Sequence, residues 1–193
     1  MAVLLLFTTS GFAQEEDLPE ADSQDVVNRN ELSVNVLNLI IFGALDAGYE
    51  RILSDYSSLG VDVFAKVFDK NEGEDVDLSR VYAKDFSLTA GLKFFLKEER
   101  RAWGFYAEGF GMFSTGVNEK EVEQPDPVFP GQTQTQEVPL NFTDLALGVG
   151  IGGKYMAPNG FLLDLSFGLG RNLFHPDSPD IVVLPSVNMG YRF

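Results

Sequence analysis

Cysteine is absent from this sequence of 193 residues, histidine and tryptophan occur once each, and 14 Lys+Arg stand against 29 Asp+Glu. Each shortage excludes something. Without cysteine there is no disulfide framework and no thiolate metal site. The same absence suits passage through an oxidising periplasm, but it suits many cytosolic proteins equally. A formal net charge of -15 removes the basic footprint that nucleic acid or an anionic lipid surface requires, so no nucleic-acid partner is expected. No uncharged apolar run reaches about eighteen residues, so no membrane helix is predicted, although strands of about nine to eleven residues can also cross a bilayer. No motif calls for a cofactor.

Residues 1–13 read as a signal peptide, with an apolar core from Ala2 to Phe7 and small residues at Gly11 and Ala13 ahead of Gln14. The core is short and no Lys or Arg precedes it. Residues 14–30 carry six acids, one arginine and little apolar content, which predicts a flexible acidic periplasmic leader.

From Glu31 onward the dominant period is two, and it recurs eight times between turn-like breaks. In the seventh segment Phe161, Leu163, Leu165, Phe167 and Leu169 alternate with Leu162, Asp164, Ser166, Gly168 and Gly170. The sixth sets Leu145, Leu147, Val149, Ile151 and Tyr155 against Asp144, Ala146, Gly148, Gly150, Gly152 and Lys154. The third and fourth follow suit, with Leu59, Val61 and Val63 against Gly60 and Asp62, and Phe86, Leu88 and Leu92 against Ser87, Gly91 and Lys93. The second is short, and the first becomes continuously apolar from Val36 to Phe42. An apolar outward face and a small or polar inward face predict an all-β fold, an eight-stranded antiparallel up-and-down transmembrane β-barrel over residues 31–193. Short connections alternate with long ones, which places both mature termini on the periplasmic side.

Turn geometry fixes two registers. A three-residue loop at Pro158, Asn159 and Gly160 puts Lys154 opposite Asp164. A turn centred on Arg100 and Arg101 puts Lys93 opposite Glu108 and turns Glu108 inward. The result is a predicted lumenal charge ring of Lys93, Glu108, Lys154, Asp164 and Arg192, with Glu31, Glu50 and Asp62 on the remaining strands. Cross-strand neighbours are expected to pair, and Arg192 closes the ring toward Glu31. A barrel of eight strands is just wide enough for side chains to fill, so little open conductance is expected.

Aromatic residues near the strand ends, Trp103, Phe105, Tyr155, Phe161, Tyr191 and Phe193 on one rim and Phe113, Phe142 and Phe174 on the other, form the expected interfacial girdle. Inward apolar positions at Leu37, Leu39, Ile41, Phe64, Phe68, Phe110 and Met112 could instead line an upper pocket. The loop over residues 118–141, rich in Pro, Gln and Thr, reads as surface-exposed. His175 lies beside Asp177, Ser178 and Asp180 in one polar loop, where a solvated turn outweighs a lipid A hydrolase. Asp69, Asn71, Asp75 and Asp77 alternate like a calcium loop, but Glu74 and Arg80 occupy the positions that need Gly and Glu. No catalytic or metal residue is therefore expected.

The last seven residues, VNMGYRF, alternate Val187, Met189, Tyr191 and Phe193 with Asn188, Gly190 and Arg192. This ending, with Gly190, Tyr191 and Phe193, resembles the assembly signal of outer-membrane barrels. The layout is similar to the OmpW and OmpX types, and AGYERILSDYSSLGVDV at 47–63 with the final GYRF resembles a Bacteroidota barrel family whose members mostly lack an assigned function. The resemblance implies the cell outer membrane, its lipids and the barrel-assembly machinery as partners, with an envelope protein as a further one. It implies a non-enzymatic structural or accessory role, or alternatively a narrow channel for small hydrophobic molecules.

Overall fold

The computed structural model describes residues 28–68, 84–96, 102–125 and 133–193. The expected signal peptide, the leader up to residue 27 and the acidic run from Asp69 to Asp77 lie outside the described residues. Eight strands, β1 (Asn30–Asn35), β2 (Ala44–Ser54), β3 (Ser57–Lys66), β4 (Lys84–Phe95), β5 (Gly104–Pro125), β6 (Thr133–Met156), β7 (Phe161–Asn172) and β8 (Ile181–Arg192), pair antiparallel in chain order. β1 also pairs with β8, so the barrel is closed.

The period-two pattern explains the wall. Along β6, Val149 and Ile151 are each 69% exposed, while Lys154 is buried and Gly148 and Gly150 face the lumenal side chains Phe110 and Glu108. Inward glycines also seat inward aromatics. A Cβ at Gly148 would lie 2.2 Å from Phe110 Cζ, and one at Gly152 would lie 2.4 Å from Tyr106 Cζ. The small residues of β6 thus make room for the rings of β5. Both predicted registers hold, with Lys93 opposite Glu108 and Lys154 opposite Asp164.

The first segment does not form one strand. β1 stops at Asn35, and Val36–Phe42 form a seven-residue helix, α1. Asn35 Oδ1 accepts hydrogen bonds from Leu37 N at 3.2 Å and Asn38 N at 3.3 Å, which satisfies two donors of the first turn. Gly43, at φ 62° and ψ 27°, ends the helix in the left-handed conformation and donates its N–H to Asn38 O. Leu37, Leu39 and Ile41 are therefore not inward strand residues, and Leu39 and Ile41 are exposed.

This substitution leaves a window in the wall. Above Asn35, residues 181–187 of β8 and 44–46 of β2 have no β1 partner, and α1 packs against both strands at this place. Val187 N is satisfied by Asn35 Oδ1 at 3.3 Å. Two residues along the same edge, Pro185 has no N–H to leave unpaired, which is where a strand tolerates proline.

Two further expectations change. The segment 118–141 is largely an extended hairpin, paired from Val117 with Asn141 to Pro125 with Thr133, beyond the reach of β4 and β7. Phe142 shares the inward parity of Asp144 and is buried, so it does not belong to the outer girdle. The other girdle residues Phe105, Tyr155, Phe161, Tyr191, Phe193, Phe113 and Phe174 are exposed. Trp103 is half-buried and meets Tyr155 edge-on at 6.3 Å.

Candidate functional site

Inside the wall, the buried groups Ile52, Phe95, Ala102 and Tyr106 cluster at the end that carries the short turns, here the lower end. Directly above them lies the charge network. Arg192 Nε and Nη2 reach Glu31 Oε1 at 2.7 and 2.5 Å. Glu31 Oε2 accepts from Lys154 Nζ at 2.6 Å, and Lys154 also meets Glu50 Oε1 at 2.5 Å. The other oxygen of Glu50 takes Lys93 Nζ at 2.9 Å, and Lys93 binds Asp164 Oδ2 at 2.8 Å. Asp164 Oδ1 finally accepts from Tyr106 Oη at 2.7 Å.

These contacts form one unbroken sequence: Arg192, Glu31, Lys154, Glu50, Lys93, Asp164, Tyr106. Three cations alternate with three carboxylates, so the network is neutral, and it touches every strand except β3. Ring faces add to it, with Lys93 Nζ 4.7 Å from the centroid of Tyr106 and Lys154 Nζ 5.5 Å from that of Phe95. Buried charges are tolerated only when paired in good geometry, because desolvation of each ion costs several kcal/mol. Here every member has a partner.

The expected ring residues all face the lumen, but their pairing differs from the sequence reading. Only Arg192 pairs with its strand neighbour, Glu31. Lys93 bonds Glu50 and Asp164 rather than the opposing Glu108, and Lys154 bonds Glu31 and Glu50 rather than the opposing Asp164. The interior of an eight-stranded barrel is two side chains wide, so long cations reach across it as readily as sideways.

Glu108 and Asp62 stand apart from the network. No hydrogen bond or ion pair with another described residue engages either carboxylate. Each lies flat against the wall over a glycine. A Cβ at Gly91 would fall 2.1 Å from Glu108 Oε1, and one at Gly48 would fall 2.2 Å from Asp62 Oδ1. Lying flat, they leave open a chamber of about 90 Å³ above the network, bounded also by Asp46, Lys84, Phe64 and Phe110.

The apolar pocket set divides. Phe64 and Phe110 are buried and line this chamber. Met112 is buried higher up, packed with Phe110, Ala146 and Val182 against Leu184. Phe68 lies past the end of β3 and is 63% exposed, so it lines nothing. Polar side chains also line the chamber, among them Ser33, Asn35, Asn38, Ser166 and Asn188.

Three participants escaped the sequence reading. Tyr106 shares the inward parity of Glu108, which was the available signal. Asp46 accepts from Asn35 Nδ2 at 3.1 Å and Asn38 Nδ2 at 2.5 Å, a latch visible only once α1 exists. Lys84 begins β4, and its Nζ lies 4.5 Å from the centroid of Phe64.

At the upper rim Asp144 organises the β7–β8 loop. Its carboxylate accepts from Leu145 N at 2.7 Å, Phe174 N at 3.0 Å, His175 N at 2.9 Å and Ser178 Oγ at 2.5 Å. Ser178 is buried, and its hydroxyl also bonds His175 O at 2.7 Å. His175 Nδ1 accepts from Asp177 N at 3.2 Å, and among the described residues no hydrogen bond joins the imidazole to the serine. The geometry is that of a braced turn.

No protein-family model matches this chain, and neither the curated proteins nor the solved structures contain a significant match to it.

Proposed function

We propose that this chain is an integral outer-membrane β-barrel with a non-enzymatic structural or accessory role in the envelope, its lumen blocked by the charge network. One observation carries the membrane part of this reading. Every strand presents exposed apolar side chains outward, for example Leu32, Leu45, Val63, Leu88, Phe113, Ile151, Leu165 and Met189, while the buried charges point inward. A water-soluble barrel has the opposite polarity. Membrane barrels combine an apolar outer band with a polar interior.

The blocked lumen rests on the network, which fills the cross-section with paired side chains above the Tyr106 cluster. Passage of small hydrophobic molecules fits less well, because the chamber carries the carboxylates of Asp46, Asp62 and Glu108 and its lower end is closed. On this reading the partners are outer-membrane lipids, the machinery that inserts barrels, and an envelope protein that could meet the projecting β5–β6 hairpin.

Reconstitution of the full chain into phospholipid vesicles and planar bilayers tests the proposal. The expected result is a vesicle-associated, heat-modifiable band on gels and no stable single-channel current. A barrel that stays in the aqueous phase overturns the membrane assignment, and steady currents overturn the blocked lumen.

A further inference from the structure

Charge on the outward face of the wall has the opposite sign to the chain as a whole. With 29 Asp+Glu against 14 Lys+Arg, a charge left outside by chance would be acidic. Below the projecting β5–β6 hairpin, and among the described residues, the charged outward positions of the strand pairs are nevertheless both arginines. Arg51 on β2 stands between Asn30 and Leu59, and Arg171 on β7 stands between Leu147 and Ile181. The exposed Asp85 lies outside the pairing, in the bulge that opens β4.

Their heights are those of the two edges of a bilayer. On β7, Arg171 follows Phe161 of the lower aromatic rim by ten residues, about 33 Å along the strand and, at a tilt of about 40°, about 25 Å along the barrel axis. That is the height of the apolar band of a membrane barrel. Arg51 stands at the other edge, because its partner Asn30 exchanges backbone hydrogen bonds with Phe193 of the lower rim at 3.1 and 2.8 Å.

The two arginines are held differently. Arg51 Nη1 donates to Asn30 Oδ1 at 2.6 Å, and Tyr49 Oη donates to the same oxygen at 2.8 Å. This bond orients the guanidinium, while Nε and Nη2 keep their donors for an acceptor outside the described residues. Around it Leu32, Tyr49 and Leu59 are exposed, and the apolar surface continues up the wall through Val34 and Val61. Arg171 makes no hydrogen bond with another described residue. A planar fork of donors at an apolar edge matches the oxygens of a phosphate. The net charge of -15 excludes attraction through a broad basic face, so such a contact has to be local.

We propose that Arg51, oriented by Asn30 beside Tyr49, binds the phosphate of an anionic phospholipid at the lower edge of the apolar band, with the acyl chains along Leu32, Val34, Leu59 and Val61. A zwitterionic lipid brings its own ammonium group beside the phosphate and is the poorer partner. This site rests on the membrane reading above and adds to it a lipid class and a position.

Native mass spectrometry of the full chain, released from detergent micelles that contain dioleoyl phosphatidylglycerol, dioleoyl phosphatidylcholine or dioleoylglycerol at equal concentration, tests it. The expected result is a one-to-one phosphatidylglycerol adduct at least fivefold more populated than the phosphatidylcholine adduct, with dioleoylglycerol at background. Arg51→Gln, checked for folding by heat-modifiable gel migration, should bring phosphatidylglycerol down to the phosphatidylcholine level, whereas Arg171→Gln should leave it within twofold. Equal retention of the two phospholipids by the wild type overturns the proposal without recourse to any variant. Undiminished retention by folded Arg51→Gln, or an equal loss with Arg171→Gln, overturns the assignment to Arg51. A chain that enters micelles and vesicles without this preference sinks the lipid site alone, and one that stays in the aqueous phase sinks the membrane reading with it.

Discussion

Lys154 and Glu50 meet at 2.5 Å although their strands, β6 and β2, stand on opposite sides of the barrel, four strands apart in either direction. A single ion pair thus spans the lumen. The same lysine holds Glu31 and the same glutamate holds Lys93, so the wall is cross-braced from within as well as hydrogen-bonded around its circumference.

Removing Lys154 leaves the buried network with three carboxylates against two cations, Arg192 and Lys93. Lys154→Met is expected to destabilise the barrel by about 3–5 kcal/mol, the range for removing one member of a buried pair. The double variant Lys154→Met/Glu50→Gln leaves two matched pairs, Arg192 with Glu31 and Lys93 with Asp164, and should recover part of that loss. Urea unfolding in detergent, followed by the heat-modifiable band, checks both. A Lys154→Met barrel as stable as the wild type would show that the lysine is not needed to balance the three carboxylates.

Glycines of opposite facing should respond oppositely to a methyl group. At Gly148 a Cβ would sit 2.5 Å from Leu169 O as well as on the Phe110 ring, so the backbone itself must move. Gly109 has nothing within 4 Å of the same position. Gly148→Ala should cost about 1–3 kcal/mol as overpacking, whereas Gly109→Ala should stay within about 0.5 kcal/mol. Unfolding midpoints of the two variants measured side by side decide it.

The contrast between those glycines was legible in the sequence, for Gly148 from alternation and for Gly109 from the turn that sets Lys93 opposite Glu108 and so turns Gly109 outward. Register was legible too where turn length constrained it, as for Lys93 with Glu108 and Lys154 with Asp164. Two things were hidden, for different reasons. α1 is built from Val, Leu, Ile and Phe, which favour strands as readily as helices, and only the bracket of Asn35 before it and Gly43 after it marks its ends. The ion pairs were hidden because register names neighbours around the wall, while the partner of a lumenal lysine is chosen across the axis.

The window has its own test at Pro185. The backbone nitrogen there points to the unpaired edge of β8, as that of Val187 does, and only the latter has an acceptor in Asn35. Pro185→Ala introduces an N–H with no strand partner, which should cost about 1–3 kcal/mol. Hydrogen exchange should also show faster opening of α1 than in the wild type. Unchanged stability and exchange would mean that α1 supplies an acceptor at that point.

The upper-rim loop separates a bracing role from a catalytic one. Asp144→Ala removes the acceptor of four hydrogen bonds, three of them from the loop that contains His175 and Ser178. Limited proteolysis should then cut within residues 173–180 at least several-fold faster, while the barrel band itself keeps its thermal transition, since the lumenal network lies on the far side of the chamber. His175→Ala should leave proteolysis near wild type, because among the described residues the side chain bonds Asp177 N alone and lies 4.0 Å from the Asp177 carboxylate. Comparing the lipid A composition of cells that carry each variant gives the second readout. A composition that changes with His175→Ala, in a loop whose proteolysis does not, would assign the imidazole a chemical task that its hydrogen bonds do not show.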